Sequence, residues 1–272
     1  MEIIEAAALG AIQGLTEFLP VSSSGHLVLG QKLLGLDLGE FATAFDVAVH
    51  LGTLVAVFVV YRMDLADIIA GFFRGIGIAR SDRSLSGFFR DKGAMYASLL
   101  VLGTLPAAVV GLVFKNKIED LFSNPVSAGF GLIFTSLVLG STLFVRKSKN
   151  KTPGPVTSFV IGIAQSVAII PGISRSGSTI ATGLLLGVKR NEAARFSFLL
   201  SVPAILGAVV LEGRHIVGSL PLGPLLAGFV VSTVVGYIAL RALLVVVDRG
   251  RIYLFAPYCG LLGIIALVAF WR

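Results

Sequence analysis

Gln13-Gly14-Leu15-Thr16-Glu17-Phe18-Leu19-Pro20-Val21-Ser22-Ser23-Ser24-Gly25-His26 sits in the middle of an otherwise apolar segment, Ile3–Leu36. An apolar stretch interrupted by Pro, three Ser and Gly reads as two short helices around a polar turn. At membrane depth such a break is tolerated only where protein or a watery cavity satisfies the freed backbone groups. A second segment, Val156–Leu186, is broken in the same way by Pro171-Gly172-Ile173-Ser174-Arg175-Ser176-Gly177-Ser178-Thr179. Both segments are therefore expected to be re-entrant helical hairpins, each entering and leaving on one side.

The rest of the chain fits that setting. Of 272 residues, 56% are hydrophobic and only 14% charged, with a mean hydropathy of +0.93. A soluble domain carries roughly a quarter charged residues, so a water-soluble fold is excluded. Apolar runs near the ~20 residues needed to cross a bilayer recur at Met95–Phe114, Val126–Val145, Phe196–Leu211, Leu222–Val247 and Ile252–Trp271, with a shorter one at Phe45–Tyr61. The expected architecture is an all-α polytopic membrane protein, one integral-membrane domain over 1–272, with six transmembrane helices and two hairpins. Glu2 and Glu5 stand where a cleavable signal would be basic. The single cysteine, Cys259, offers neither a disulfide frame nor a Cys-rich metal site.

Charge gives the orientation. The net charge of +7 comes from basic residues in short inter-helix stretches, which points to membrane topology and away from nucleic acid. Arg62, Arg74, Arg80, Arg83, Arg90, Lys92, Arg146, Lys147, Lys149, Lys151, Lys189, Arg190, Arg195, Arg249 and Arg251 fall on one side. Only Lys32, Lys115, Lys117, Arg214 and Arg272 fall on the other. Fifteen against five places the first group in the cytoplasm and both termini outside. The first hairpin then opens outward and the second inward.

The two broken segments also align with each other. Gln13 and the run Ser22 to His26 match Gln165 and the run Ser174 to Ser178 at a constant offset of 152. With opposed orientations, this predicts an inverted-topology repeat of approximately 1–145 and 153–272, an arrangement known in transporters.

Chemistry concentrates in the two turns. Gln13 and Glu17 are four apart and share a helix face, and a carboxylate in an apolar segment usually marks a site. Ser22, Ser23 and Ser24 suit the start of a half-helix, where hydroxyls cap exposed N–H groups. His26 beside Glu17 is a candidate base or nucleophile. In the second turn, freed N–H groups at a helix start and the planar fork of Arg175 suit phosphate oxygens. Either Glu17 or a substrate anion is expected as the partner of Arg175. No phosphate-binding loop of the GxxxxGK[ST] type is present, so nucleoside triphosphate hydrolysis has no support. Asp46 and His50 share a face four apart, either facing the cavity or forming a helix-end charge pair.

These motifs resemble those of the undecaprenyl-diphosphate phosphatase, or bacitracin-resistance, family. Its [EQ]xxxE signature is matched by Gln13 and Glu17, and its PGxSRSGxT signature by Pro171 to Thr179. Similarity extends to Phe45–Thr53 and Phe196–Pro203, and so covers nearly the whole chain. The resemblance implies hydrolysis of a C55-isoprenyl diphosphate to the monophosphate, which recycles the carrier lipid for peptidoglycan synthesis and confers bacitracin resistance. It implies a plasma-membrane enzyme with an outward-facing site and a divalent cation (Mg2+ or Ca2+), and it allows for a homodimer. At the matching positions, Glu17 with Gln13 would serve the metal, Ser23 or His26 the nucleophilic step, and Arg175 the phosphate. Many members carry Glu where this chain has Gln13, and an amide oxygen is a poorer ligand for a hard cation.

Both lines of reading lead to one expected mechanism. Arg175, Ser22, Ser24, Ser174, Ser176 and Thr179 hold the phosphate while Ser23 attacks with His26 as base, or His26 attacks directly. The rival is a lipid flippase or anion transporter built on the same inverted repeats, which needs binding groups but no nucleophile paired with a base.

Overall fold

The computed structural model describes residues 1–33, 41–122, 124–145, 151–212 and 222–271. Arg146, Lys147, Lys149, Arg214 and Arg272, which entered the charge bias, lie outside the described residues. The fold is all-helical, with no strand among the described residues beyond one isolated bridge between Lys151 and Val188.

In chain order the helices are α1 (Ile3–Phe18), α2 (Ser23–Leu33), α3 (Phe41–Val60), α4 (Arg62–Ser81), α5 (Leu85–Phe88), α6 (Lys92–Val113) and α7 (Lys115–Phe122). They continue with α8 (Pro125–Ser141), α9 (Pro155–Val167), α10 (Arg175–Leu185), α11 (Arg190–Glu212), α12 (Leu222–Asp248) and α13 (Ala256–Phe270). Six stretches are long and apolar enough to cross a membrane: Thr43–Val60, Lys92–Val113, Pro125–Phe144, Arg190–Leu211, Leu222–Asp248 and Ile252–Phe270. They are the six expected from the sequence, and the chain is a multi-pass membrane protein. By contrast α2 and α10 have 11 residues each, about 16 Å of helix against a hydrocarbon core of about 30 Å.

Local chemistry sets several helix starts. Asp91 caps α6 by accepting the N–H groups of Gly93 (2.8 Å) and Ala94 (3.2 Å). Asn124 caps α8 through Val126 N–H, with Pro125 in the first turn where its missing donor costs nothing.

Apolar helices gain little from burial against one another in lipid, so close packing of small residues holds them. On α1, a Cβ added to Gly10 would fall 2.6 Å from the Gly228 carbonyl oxygen of α12, so the two backbones touch there. In the same way α8 meets α13 through Gly129 and Gly263, and α9 meets α6 through Gly162 and Gly103.

The region between the first two spans, expected as a basic loop, holds the 20-residue α4. Its Arg and Asp residues keep any window from being uniformly apolar and hid the helix in a hydropathy reading. Helical spacing is nevertheless present: Ile68, Gly71 and Gly75 are buried against α6, while Met63, Ile69, Phe72 and Phe73 are exposed. Arg74 clamps the α6 cap through Asp91 (2.8 Å), and this partner holds the Asp91 carboxyl below its ordinary value.

Contacts tie together several stretches assigned to the basic side. Lys189 N–H donates to the Lys151 carbonyl (2.9 Å), Arg190 reaches the Asp248 carbonyl (3.2 Å), and Arg195 pairs with Asp64 (2.5 Å). The main buried cluster, including Phe18, Phe196, Phe198, Leu199 and Leu240, lies beside the end of α1. Phe18 meets Phe198 edge-on at 5.7 Å, which wedges α1 in place one residue after Glu17.

Candidate active site

The turn after α1 and the turn before α10 meet backbone to backbone. A Cβ on Gly25 would fall 2.9 Å from the Gly172 Cα, and one on Gly177 would fall 3.2 Å from Pro20 Cβ. Gly172 has φ +87, a conformation that glycine adopts without strain, and it lies hard against α8.

Glu17 is the centre of the assembly, 7% exposed. Gln13 Nε2 donates to its Oε2 at 3.1 Å, as the four-residue spacing predicts. Ser23 Oγ donates to the same oxygen at 2.5 Å. Arg175 Nη2 donates to Oε1, and His50 Nε2 lies 3.8 Å from Oε2. The alternative partners of Arg175 are thus decided for this state: its guanidinium pairs with Glu17. Its Nη1 is buried with no hydrogen-bond partner, as is Gln13 Oε1. A buried donor left unmade is costly and marks a place for a ligand acceptor.

The first turn is strained. Ser22 has φ 70, unusual for a residue with a side chain, and outliers of this kind cluster at functional sites. The Ser22 carbonyl, which also accepts the His26 N–H at 3.2 Å, lies 2.7 Å from His26 Nδ1, the same four-residue contact that His50 makes with the Asp46 carbonyl in α3. His26 Nε2 is 2.8 Å from the Tyr258 hydroxyl of α13. Neither ring nitrogen is bonded to Ser23. In place of the expected Ser23–His26 pairing, Ser23 in this state bonds to Glu17 while the imidazole bonds back to the Ser22 carbonyl and across to Tyr258. Ser22 Oγ lies 3.2 Å from Ser24 Oγ and accepts Gly25 N–H at 3.3 Å, so both hydroxyls are tied into the turn.

The second turn is a regular helix start. Ser174 caps α10 by accepting Gly177 N–H at 3.1 Å, and its own N–H donates to Thr135 Oγ1 at 2.9 Å. Thr135 also donates to the Gly172 carbonyl at 2.9 Å, pinning the turn to α8. Ser176 Oγ is 3.3 Å from Ser174 Oγ and 3.4 Å from the Leu19 carbonyl. Thr179 is fully buried, with its hydroxyl 2.6 Å from Ser197 Oγ and 2.8 Å from the Arg175 carbonyl. These three expected phosphate ligands hold the turn in shape, whereas Arg175 Nη1 and Ser178 Oγ are buried without a hydrogen-bond partner.

Tyr258, Thr135 and Ser197 were not singled out in the sequence. Each is a hydroxyl in an apolar helix, and although Ser197 falls in the matching stretch Phe196–Pro203, nothing there pointed to its hydroxyl. His50 was legible as a histidine in an apolar segment, and its position beside Glu17 favours the cavity reading over a helix-end pair.

Among the described residues no three His, Cys, Asp or Glu side chains converge to hold a metal ion. Gln13 Oε1 is a buried acceptor without a partner, carried by the residue whose amide touches Glu17. With a Glu17 oxygen it offers two hard ligands, too few for a cation that takes six or more. The residues fit a divalent ion whose remaining positions are filled by water or phosphate oxygens.

Comparison with known proteins gives the chain a family. The family described as bacitracin resistance protein BacA matches residues 6–265. An undecaprenyl-diphosphatase of Desulforapulum autotrophicum is 44% identical over 99% of both chains. Those of Desulfosudis oleivorans and Korarchaeum cryptofilum are 45% and 42% identical, with at least 98% of each chain covered. With the family model spanning residues 6–265 and these relatives 42–45% identical over nearly their whole length, the chain belongs to the bacitracin resistance protein BacA family.

Proposed function

We propose that this protein hydrolyses undecaprenyl diphosphate to undecaprenyl phosphate and phosphate, recycling the carrier lipid for cell-wall synthesis and conferring bacitracin resistance. The observation that carries the reading is the Ser23 hydroxyl donating to Glu17 at 2.5 Å, beside an arginine with one buried nitrogen free. A hydroxyl with a carboxylate to take its proton, facing an arginine, is an arrangement for phosphoryl transfer. A transporter requires the arginine but has no use for the activated serine.

The proposed sequence follows from these contacts. The terminal phosphate draws Arg175 away from Glu17, both guanidinium nitrogens reaching phosphate oxygens. Glu17, left without its cation, takes the Ser23 proton as Oγ attacks the terminal phosphorus. The bond to the bridging oxygen breaks and undecaprenyl phosphate departs. Glu17 and Gln13 would hold a divalent cation against the phosphates, and that ion would supply charge neutralisation on the leaving group.

The re-entrant paths, the inverted repeat and an outward-facing site belong to the same proposal. α1 lies on α12 while α9 lies on α6, and the shared offset of the two turns supports a two-fold exchange of the halves. The basic residues gathered by the Lys151, Arg190 and Arg195 contacts favour that end as cytoplasmic.

Phosphate release by purified protein given C55-isoprenyl diphosphate, with and without chelator, tests the reaction. Release that stops in Ser23→Ala and depends on the cation is expected. No release from wild type under any cation would overturn the reading.

A further inference from the structure

His26 Nδ1 lies 2.7 Å from the Ser22 carbonyl, and a carbonyl only accepts, so Nδ1 carries the hydrogen. In the neutral ring the lone pair is then on Nε2, 2.8 Å from the Tyr258 hydroxyl, which must donate. The two rings are stacked, with centroids 5.8 Å apart and planes 9° from parallel. Tyr258 comes from another helix, 232 residues along the chain, and its ring is about half exposed on the outer surface of the bundle. A tyrosine hydroxyl set in an apolar helix usually finds a hydrogen-bond partner, and His26 supplies one.

We infer that Tyr258 is a positioning residue that holds His26 neutral, with its lone pair at Nε2, so that the ring enters the reaction as a proton acceptor. The inference rests on the hydrolytic reading and assigns His26 to its second half. Water attacks the phosphorus of the Ser23 phosphoester and passes a proton to Nε2. The phosphorus–Oγ bond breaks, Oγ regains its proton from Glu17, and phosphate leaves, the Nε2 proton passing to the departing phosphate or to solvent so that the neutral ring is restored. The strained Ser22 carbonyl and the Tyr258 hydroxyl thus grip opposite edges of one imidazole, and the hydroxyl yields when substrate arrives.

The chain has three histidines, which makes histidine-selective 15N labelling of the full protein in nanodiscs readable. The His26 signals, identified with His26→Asn, are expected to show a protonated Nδ1 and an unprotonated, hydrogen-bonded Nε2. In Tyr258→Phe, which keeps the ring, Nε2 alone moves toward the position of a free imine nitrogen. The same variant loses about tenfold in kcat, the worth of one hydrogen bond, with KM within about twofold. A protonated Nε2 in wild type, an Nε2 signal unmoved by Tyr258→Phe, or a change in KM with kcat intact would each overturn the inference. If Tyr258→Phe fails to fold, the wild-type tautomer alone decides. The spectrum needs no substrate, so an expected tautomer in a protein that releases no phosphate would sink the hydrolase reading and leave the lock standing.

Discussion

The two turns share a pattern and differ in what they do with it. Around Ser22 to His26 the backbone is strained, the hydroxyl of Ser23 is committed to a carboxylate, and a histidine is gripped on both edges. Around Ser174 to Ser178 the backbone is relaxed, Ser174 caps its helix, and Ser178 stands where the first turn has His26. Arg175 occupies the register of Ser23. On the proposed mechanism the first turn is the reactive half and the second the binding half, joined through the Arg175–Glu17 pair. Division of labour between equivalent positions is therefore the property to test.

The sharpest break comes from the reactive half. Glu17→Gln removes both the acceptor for the Ser23 proton and the charge that holds Arg175. Turnover is expected to fall by about a thousandfold, within the range for a lost general base. Phosphate release within tenfold of wild type would show that Glu17 serves only to park Arg175.

On the binding half, Arg175→Lys keeps the charge but loses the two-nitrogen fork. A loss of about a hundredfold in kcat is expected, as for removal of one aligned charge-stabilising donor. Steady-state kinetics showing less than a threefold change would reduce Arg175 to a counter-ion.

Gln13→Glu adds a carboxylate beside Glu17 and should lower the cation concentration for half-maximal activity several-fold. Titration of activity against Mg2+ and Ca2+ checks this, and an unchanged midpoint would remove Gln13 from the metal's surroundings.

Stability separates the turns most gently. Ser174→Ala deletes a helix cap and should cost about 1 kcal/mol. Ser22→Gly relieves a left-handed serine worth about 1 kcal/mol, nearly offset by the added freedom of the unfolded chain and the loss of the hydroxyl that accepts Gly25 N–H. Thermal melting in one detergent should rank Ser174→Ala below wild type and Ser22→Gly level with it or above. Equal losses at both positions would mean that the strain at Ser22 is not local.

Much of this was legible in the chain itself. The six spans follow from apolar length, and Pro20 and Pro171 with their serines mark the helix breaks, because lipid leaves so few ways to satisfy a backbone. Gln13 and Glu17 share a face because four residues make about one turn. The pairing of His26 was not legible, since its ring turns back on a carbonyl one helical turn earlier and meets a hydroxyl 232 residues along the chain. Nor was Tyr258, because nothing in an apolar run of α13 announces which residue will lie against α2. Helix α4 escaped because its charges masked a buried stripe of only Ile68, Gly71 and Gly75.

The contact of Gly25 with Gly172 carries a consequence for inhibition. Where two turns touch through backbone, the wall of the site at that point contains no side chain to exchange. Any replacement at Gly172 meets both its positive φ and the backbone of Ala128, so substitution there damages the enzyme before it repels a drug. A compound bridging the seam, with an anionic group toward Arg175, would leave a resistant mutant few places to arise.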